Sequence, residues 1–208
     1  MLLYAFGSKM FSPDATSPVS PSVPSATRQA PAAAPQPAQP KASTGPEKAS
    51  PGDLAMPRSA PVRLRIPKIG VDAPFIGLKI GPSGALEPPP ANDTNLVGWQ
   101  SSGVSPGERG TALIAGHLDT VTSPAVFARL AELSPGDGFE VDRADGTTAV
   151  FLIDSVESFH KDDFPSKRVY DDTPSALARL ITCAGAYDRQ ARDYTENLVV
   201  FAHLDTAA

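Results

Sequence analysis

Prolines divide this chain of 208 residues into two parts that cannot fold in the same way. About half of the 23 prolines precede Pro61, in stretches such as SPVSPSVPSATRQAPAAAPQPAQPKASTGPEKASP. Proline fixes φ and has no amide donor, and this part has few aromatic residues with which to form a core. We therefore predict that residues 12–61 form a disordered, partly polyproline II spacer. Residues 62–208 are predicted to form one folded domain, because they are numerous enough to bury a core of their own.

Residues 1–11, MLLYAFGSKMF, begin with an apolar run that stops at Gly7. A secretory signal needs a basic start and an apolar stretch of roughly 7–15 residues, and a membrane helix needs about 20. Two interpretations stay open, the ordinary start of a chain and the remnant of a signal-anchor. The long spacer that follows suits a protein held at a distance from a surface.

Composition and motifs exclude several classes of function. The net charge is −5 and the pI is about 5.1, so no basic surface for nucleic acid is expected. A single cysteine cannot form a CxxC pair for zinc or dithiol chemistry, and neither GxSxG nor a phosphate-binding GxxxxGK motif occurs. Carboxylates in KDDF (161–164) and YDD (170–172) could bind a divalent ion, but they are interpreted as solvated loops. We therefore expect no cofactor and no metal.

The part that follows the spacer has a β pattern. Short runs rich in Val, Ile, Leu and Phe are separated by turn residues, and Asp145-Gly146 between two of them is a strong hairpin signal. Only PAVFARLAEL (124–133) has helical spacing, with its large apolar residues on one face. The pattern predicts a mainly β fold, either a barrel or a sandwich. The predicted strands are VRLRI (62–66), LVGW (96–99), TALIAGHL (111–118), FEVDRA (139–144), TAVFLIDSVES (148–158), LARLITC (177–183) and NLVVFAHL (197–204).

Two residues with the chemistry of a nucleophile and a base stand at the ends of predicted strands. Cys183 ends LARLITC and precedes CAGAYDRQARDYTEN, in which nothing is apolar enough to bury the thiol deeply. His117 ends another apolar run, whereas His160 lies in a polar stretch and His203 is close to the C-terminus. A lone cysteine is most often a small buried hydrophobe, and a lone histidine is most often structural. Because nucleophile and base need only be neighbours in space, Cys183 and His117 also form a candidate catalytic pair.

Several motifs in the expected order make residues 62–204 resemble the sortases, and most closely the class F type of actinobacteria. The sequence LITC (180–183) fits the cysteine motif of that family, and AGHLD (115–119) fits its histidine motif. The resemblance implies an eight-stranded sortase-type β-barrel with one or two short helices, in which Cys183 closes one strand and His117 lies on a neighbouring connection. Less general markers are RIPKIGVDAP (65–74), GALEPPP (84–90), VGW (97–99), SPAVFARLAEL (123–133), FPSKRVY (164–170) and NLVVFA (197–202).

Sortases are cysteine transpeptidases, so the resemblance implies an activity and two partners. The Cys183 thiolate would attack the threonine carbonyl of an LPxTG-like sorting signal on a surface protein. His117 would stabilise that thiolate and exchange protons with the leaving and incoming amines. A thioester would be the intermediate, and the acceptor would be an amine of a peptidoglycan cross-bridge or a pilin lysine. The family also implies a monomer on the outer face of the membrane or at the cell wall, membrane-anchored in its native full-length form.

The sequence departs from the family at one catalytic position. Sortases stabilise the tetrahedral oxyanion with an arginine just before the last strand, but that position, after Tyr194, is Thr195 here. Arg192 stands where related sequences carry the glycine of a TGHY-like segment, and we predict that it supplies the missing cation; Arg189 is the other arginine of this loop. The alternative function is a catalytically weakened sortase-like barrel that binds peptide tails or cell-wall material. A different cysteine hydrolase on a β scaffold fits the ordered motifs less well.

Overall fold

The computed structural model describes residues 55–81 and 86–205. The strands in these residues form a closed barrel of eight strands. The strands are β1 (Pro61–Ile66), β2 (Val71–Leu78), β3 (Val97–Gln100), β4 (Gly110–Gly116), β5 (Gly138–Arg143), β6 (Thr148–His160), β7 (Ala176–Asp188) and β8 (Asp193–Leu204). Around the barrel their order is β1–β2–β3–β4–β7–β8–β6–β5. The predicted mainly β fold is confirmed, and the open choice between barrel and sandwich is decided for the barrel. The N-terminal residues 1–54, with most of the predicted spacer, lie outside the described residues.

Two neighbouring strands of the barrel, β4 and β7, run parallel. Their register pairs Ala115 with Ile181. Continued by two residues, the same register places His117, just after β4, level with Cys183 in β7. Parallel strands need a long crossover connection, so this juxtaposition depends on the whole fold and not on the local sequence.

The antiparallel pair of β7 and β8 is longer than the sequence predicted. β7 continues to Asp188 and β8 begins at Asp193, so most of the predicted loop is strand. The expectation that Cys183 ends its strand is therefore wrong. The register slips after Ala184, where Gly185 has a φ of 77°. Apolar periodicity did not reveal this extension because none of its residues is buried. A bulge of this kind redirects side chains near a site.

β2 is the strand that the sequence pattern did not predict. It contains Pro74, and a proline within a run argues against a paired strand because it has no amide donor. Residues 71–74 pair with β1, whereas residues 75–78 pair with β3. Pro74 therefore lies where β2 changes partners, and the missing donor is tolerated there.

The Asp145-Gly146 hairpin is confirmed. It joins β5 to β6, which pair from Asp142 and Thr148 onward. Gly146 has a φ of 82°, a backbone conformation that favours glycine. The Asp145 carboxylate accepts a hydrogen bond from the amide of Thr147 at 3.0 Å, which stabilises the turn.

The segment 124–133 is not the helix that its spacing predicts. The amide of Phe127 donates to the carbonyl of His117 at 3.0 Å, and only Leu130–Glu132 forms a 3-10 turn. Backbone hydrogen bonds to the residues after β4 thus replace the hydrogen bonds that a helix would form between its own residues. The apolar face is nonetheless buried in the core, through Phe127, Leu130 and Leu133.

The α-helix of the described residues is α1 (Ser166–Tyr170), within FPSKRVY. It is short, and its Val169 packs in an apolar cluster with residues of β4, β7 and β8. Across residues 55–81 and 86–205, none of the helices has the length and apolar composition to cross a membrane.

Residues 55–60 lie against the barrel, before the predicted domain start at Val62. The amide of Met56 donates to the carbonyl of Gly107 at 2.8 Å. The guanidinium of Arg143, whose side chain is fully buried, donates to the carbonyl of Pro57. The contacts of the folded part therefore reach back to Met56.

A chain that starts at residue 61 is expected to unfold at a lower temperature than one that starts at residue 55. The shorter chain leaves the Arg143 guanidinium without the Pro57 carbonyl, and an unpaired buried donor costs about 1–3 kcal/mol. In a domain of this size each kcal/mol lowers Tm by about 2–4 °C. Thermal melts followed by circular dichroism measure the difference. Equal Tm values for the two chains would mean that residues 55–60 do not stabilise the barrel.

Candidate active site

One cleft contains the side chains that the sequence singled out. Cys183 from β7, His117 from the segment after β4, and Arg192 from the turn between β7 and β8 all line it. Their positions follow from the barrel, in which β4, β7 and β8 are successive neighbours. Thr195 does not line the cleft. The other lining residues are Leu118, Asp119, Tyr187, Asp193 and Tyr194.

The imidazole of His117 is buried and oriented by the backbone. Its Nε2 lies 2.8 Å from the carbonyl oxygen of Pro89. Because a carbonyl only accepts, Nε2 donates, and Nδ1 is the nitrogen that can take up a further proton. The preceding Gly116 allows close packing, since a Cβ at that position would lie 2.6 Å from the ring of Phe127 and 2.8 Å from Val126. The glycine of AGHLD thus lets the segment 124–133 fix the backbone at His117.

The Cys183 thiol is buried, with 9 % of the residue exposed. The expectation that nothing near it could bury the thiol deeply is therefore wrong, because the barrel strands beside it supply the cover. Burial raises the pKa of this thiol to about 11; the Lys161 ammonium lowers the pKa, and the carboxylates of Asp193 and Asp119 raise it. At pH 7 the thiolate fraction is then on the order of 10⁻⁴. A reaction at Cys183 needs a group that takes up its proton.

A largely buried ion pair beside Cys183 was not predicted. Lys161 Nζ lies 3.8 Å from Cys183 Sγ and 2.7 Å from Oδ1 of Asp193. The Lys161 and Asp193 side chains are only 15 % and 14 % exposed. β6 and β7 flank β8 on its two sides, so the residue that follows β6 comes beside Cys183. The sequence contained no local signal for this pair, because the predicted strand ended at residue 158 and only the structure places Lys161 directly after β6.

A tyrosine and an aspartate connect the two sides of the cleft. The hydroxyl of Tyr194 in β8 donates to Oδ2 of Asp119, which follows His117 after β4. Burial, and then the hydrogen bond to Asp119, raise the pKa of Tyr194 to about 12. The phenol is therefore neutral near pH 7. As a hydrogen-bond donor it holds the Asp119 carboxylate in place. Sequence analysis did not identify this contact either.

Arg192 and Thr195 differ in what they face. Arg192 has a φ of 56°, in the left-handed region where a residue other than glycine costs about 1–3 kcal/mol. Arg192 is one of the residues that line the cleft with Cys183. Thr195 Oγ1 instead accepts a hydrogen bond from the amide of Ala186 at 3.1 Å, at the bulge of β7. Arg192, and not Thr195, is therefore the residue that lines the cleft.

Within the described ranges, no group of three or more His, Cys, Asp or Glu residues is placed to hold a metal ion. Of the carboxylates considered from the sequence, Asp172 accepts a hydrogen bond from the amide of Thr111 at 3.0 Å. Asp162 and Asp163 are exposed. The Asp172 carboxylate thus stabilises the start of β4.

Comparisons with known proteins agree on one family. Residues 64–205 match the family described as Sortase domain. Sortase C-1 from Actinomyces oris aligns with a TM-score of 0.54 and 21 % identity, over 70 % of this chain and 74 % of that chain. For Streptococcus agalactiae sortase C1 the values are 0.53 and 20 %, over 69 % and 66 %. For sortase A from Corynebacterium diphtheriae they are 0.51 and 18 %, over 71 % and 62 %. No curated protein sequence matches the chain.

Proposed function

The chain belongs to the sortase family, and we propose that it is a cysteine transpeptidase that cleaves an LPxTG-like sorting signal and transfers the acyl part to an amine. The observation that carries this proposal is the presence of Cys183 and His117 in one cleft. The parallel register of β4 and β7 supports it, because that register brings the two residues level. A fold alone does not specify a reaction, but a thiol and an imidazole in one cleft provide a nucleophile and a base.

In the proposed acylation, the thiol proton of Cys183 passes to Nδ1 of His117 while the sulfur attacks the threonine carbonyl carbon of the sorting signal. A C–S bond forms, and the carbonyl oxygen becomes negative. The tetrahedral intermediate then breaks its C–N bond, and His117 donates the proton to the departing glycine amine. The products are a thioester on Cys183 and a released fragment that begins with glycine.

Deacylation uses the same two residues with their proton roles reversed. An incoming amine loses a proton to His117 and attacks the thioester carbonyl. A C–N bond forms, the C–S bond breaks, and the sulfur regains its proton from His117. The acceptor is an amine of a peptidoglycan cross-bridge or a pilin lysine.

We assign the oxyanion role to Arg192. The negative oxygen needs a positioned donor, and Arg192 is one of the residues that line the cleft. The costly backbone conformation of Arg192 supports a function for its side chain, because strain of this kind is concentrated at functional sites.

The finer classification is class F of the sortases, supported by the markers RIPKIGVDAP (65–74), GALEPPP (84–90) and FPSKRVY (164–170). An actinobacterial source and a place on the outer face of the membrane or at the cell wall accompany that class. The proline-rich residues 12–61 would then separate the barrel from an N-terminal anchor.

A second candidate function is a weakened sortase that binds peptide tails or cell-wall material without turnover. Two observations favour it: Thr195 stands at the family's arginine position, and the pKa of the Cys183 thiol is raised to about 11. Both functions need the same cleft, so they differ only in whether a covalent intermediate forms.

Intact-protein mass spectrometry after incubation with LPxTG peptides distinguishes the two functions. The transpeptidase predicts an added acyl mass on Cys183 that hydroxylamine removes, as it does for thioesters, and no such adduct in Cys183→Ala. The incubation uses a panel of LPxTG peptides with substitutions at the first and third positions, because the sequence that the protein recognises can differ from LPxTG there. Peptide binding without an adduct would support the weakened sortase, and neither binding nor adduct across the panel would contradict the proposed substrate class.

A further inference from the structure

The largely buried ammonium of Lys161 contacts the sulfur of Cys183. Its Nζ lies 3.8 Å from Sγ, within hydrogen-bond distance for sulfur. Asp193 holds the ammonium at 2.7 Å through Oδ1, and the same oxygen accepts the amide of Tyr194 at 2.8 Å. The ammonium is thus fixed beside the thiol by two residues at the start of β8.

The Lys161 ammonium is placed to stabilise a negative charge on the Cys183 sulfur. A thiolate in a buried site is unfavourable unless an opposite charge lies close to it. Lys161 lowers the thiol pKa, whereas Asp193 and Asp119 raise it. The other ionisable groups that face the thiol across the cleft are His117, Asp119, Tyr187, Arg192, Asp193 and Tyr194.

We propose that Lys161 is a further catalytic residue of this site: its ammonium, held by Asp193, stabilises the Cys183 thiolate that forms on attack and on departure from the thioester. The inference rests on the proposed function, in which Cys183 is the nucleophile. Two cations then have separate roles: Lys161 stabilises the thiolate, and Arg192 stabilises the negative carbonyl oxygen. His117 remains the group that takes up and donates the proton.

The position of Lys161 in the fold supports this role over a purely structural one. The exposed ion pairs of the barrel, such as Arg63 with Asp72, lie on its outer surface, where such pairs contribute little. The Lys161–Asp193 pair is largely buried, and taking two charges out of water costs desolvation free energy that two apolar residues would not incur. Stabilising a thiolate is a task that apolar residues could not perform.

The rate of Cys183 alkylation by iodoacetamide, measured from pH 7 to pH 10, tests the proposal without any peptide. The single cysteine makes the reaction specific to one site, and only the thiolate reacts. Below a pKa of about 11 the wild-type rate should rise about tenfold for each pH unit. Lys161→Met should slow alkylation about tenfold at every pH in this range, because an adjacent opposite charge shifts a pKa by about one unit or more. Lys161→Arg should restore the rate to within about threefold of the wild type.

The matched control is Lys167→Met, which removes an exposed lysine of α1 and should leave the alkylation profile unchanged. If the Tm of Lys161→Met is much lower than that of the wild type, Lys161→Gln provides the same test. Glutamine keeps a hydrogen-bond donor for Asp193 but carries no charge. A Lys161 variant that is folded and alkylated at the wild-type rate would overturn the proposal. The peptide adduct on Cys183 reports separately on the proposed function. Slowed alkylation without any adduct would show that Lys161 stabilises the thiolate, but it would contradict the transpeptidase and with it a catalytic role for Lys161.

Discussion

Cys183→Ala is expected to abolish thioester formation, and His117→Ala to lower transpeptidation about 10²–10⁴-fold. The first change removes the atom that carries the acyl group. The second removes the imidazole that must take the proton from a thiol whose pKa is about 11. The measurement is the release of a fluorescent product from a quenched sorting-signal peptide, with and without an amine acceptor. Wild-type turnover by His117→Ala would contradict its role.

Both variants should remain folded, and thermal melts check this. His117→Ala loses one buried hydrogen bond, to the Pro89 carbonyl, which contributes about 1 kcal/mol. The matched control is His203→Ala, because His203 is exposed and its ring contacts Asp154 at 2.6 Å instead of the cleft. This control should turn over peptide as the wild type does. Loss of most of the cooperative transition in Cys183→Ala or His117→Ala would make that residue structural.

Arg192→Gly is expected to lower kcat about 10²–10³-fold, the usual cost of removing one oxyanion donor. Glycine is the residue that suits the φ of 56° at this position. The substitution therefore relaxes the backbone of the turn while it removes the guanidinium, and Tm should not fall. A loss of rate at unchanged or higher Tm would separate a role in the reaction from a role in folding. The measurement is kcat on one peptide substrate, together with a thermal melt.

Two comparisons make the Arg192 experiment decisive. Arg189→Ala removes an exposed arginine from the same turn, and it should keep wild-type kcat. Thr195→Arg restores the family's residue at the family's position. If Arg192→Gly keeps wild-type turnover while Thr195→Arg raises it strongly, then no substitute arginine exists and the natural protein is a weakened sortase.

The candidate site was partly predictable because two of its residues are rare in this chain and stand in short motifs. Cys183 is the single cysteine, and AGHLD places His117 after a strand of wholly buried residues. Lys161 and Asp193 could not be found in this way. Charged residues are common in loops, and their pairing depends on β6 and β7 flanking the same strand, β8. The pair was therefore missed for a reason that no local pattern could have corrected.

The sequence by itself determined the mainly β character of the folded part, the hairpin at Asp145-Gly146 and the residues proposed as nucleophile and base. These features depend on local properties, namely alternation, turn chemistry and residue type. Only the tertiary structure decided that Pro74 is in a strand, that segment 124–133 is not a helix, and that Cys183 is buried beside an ammonium group. Each of these outcomes is set by a partner distant in the chain, since strand pairing and burial satisfy backbone and charge across the barrel.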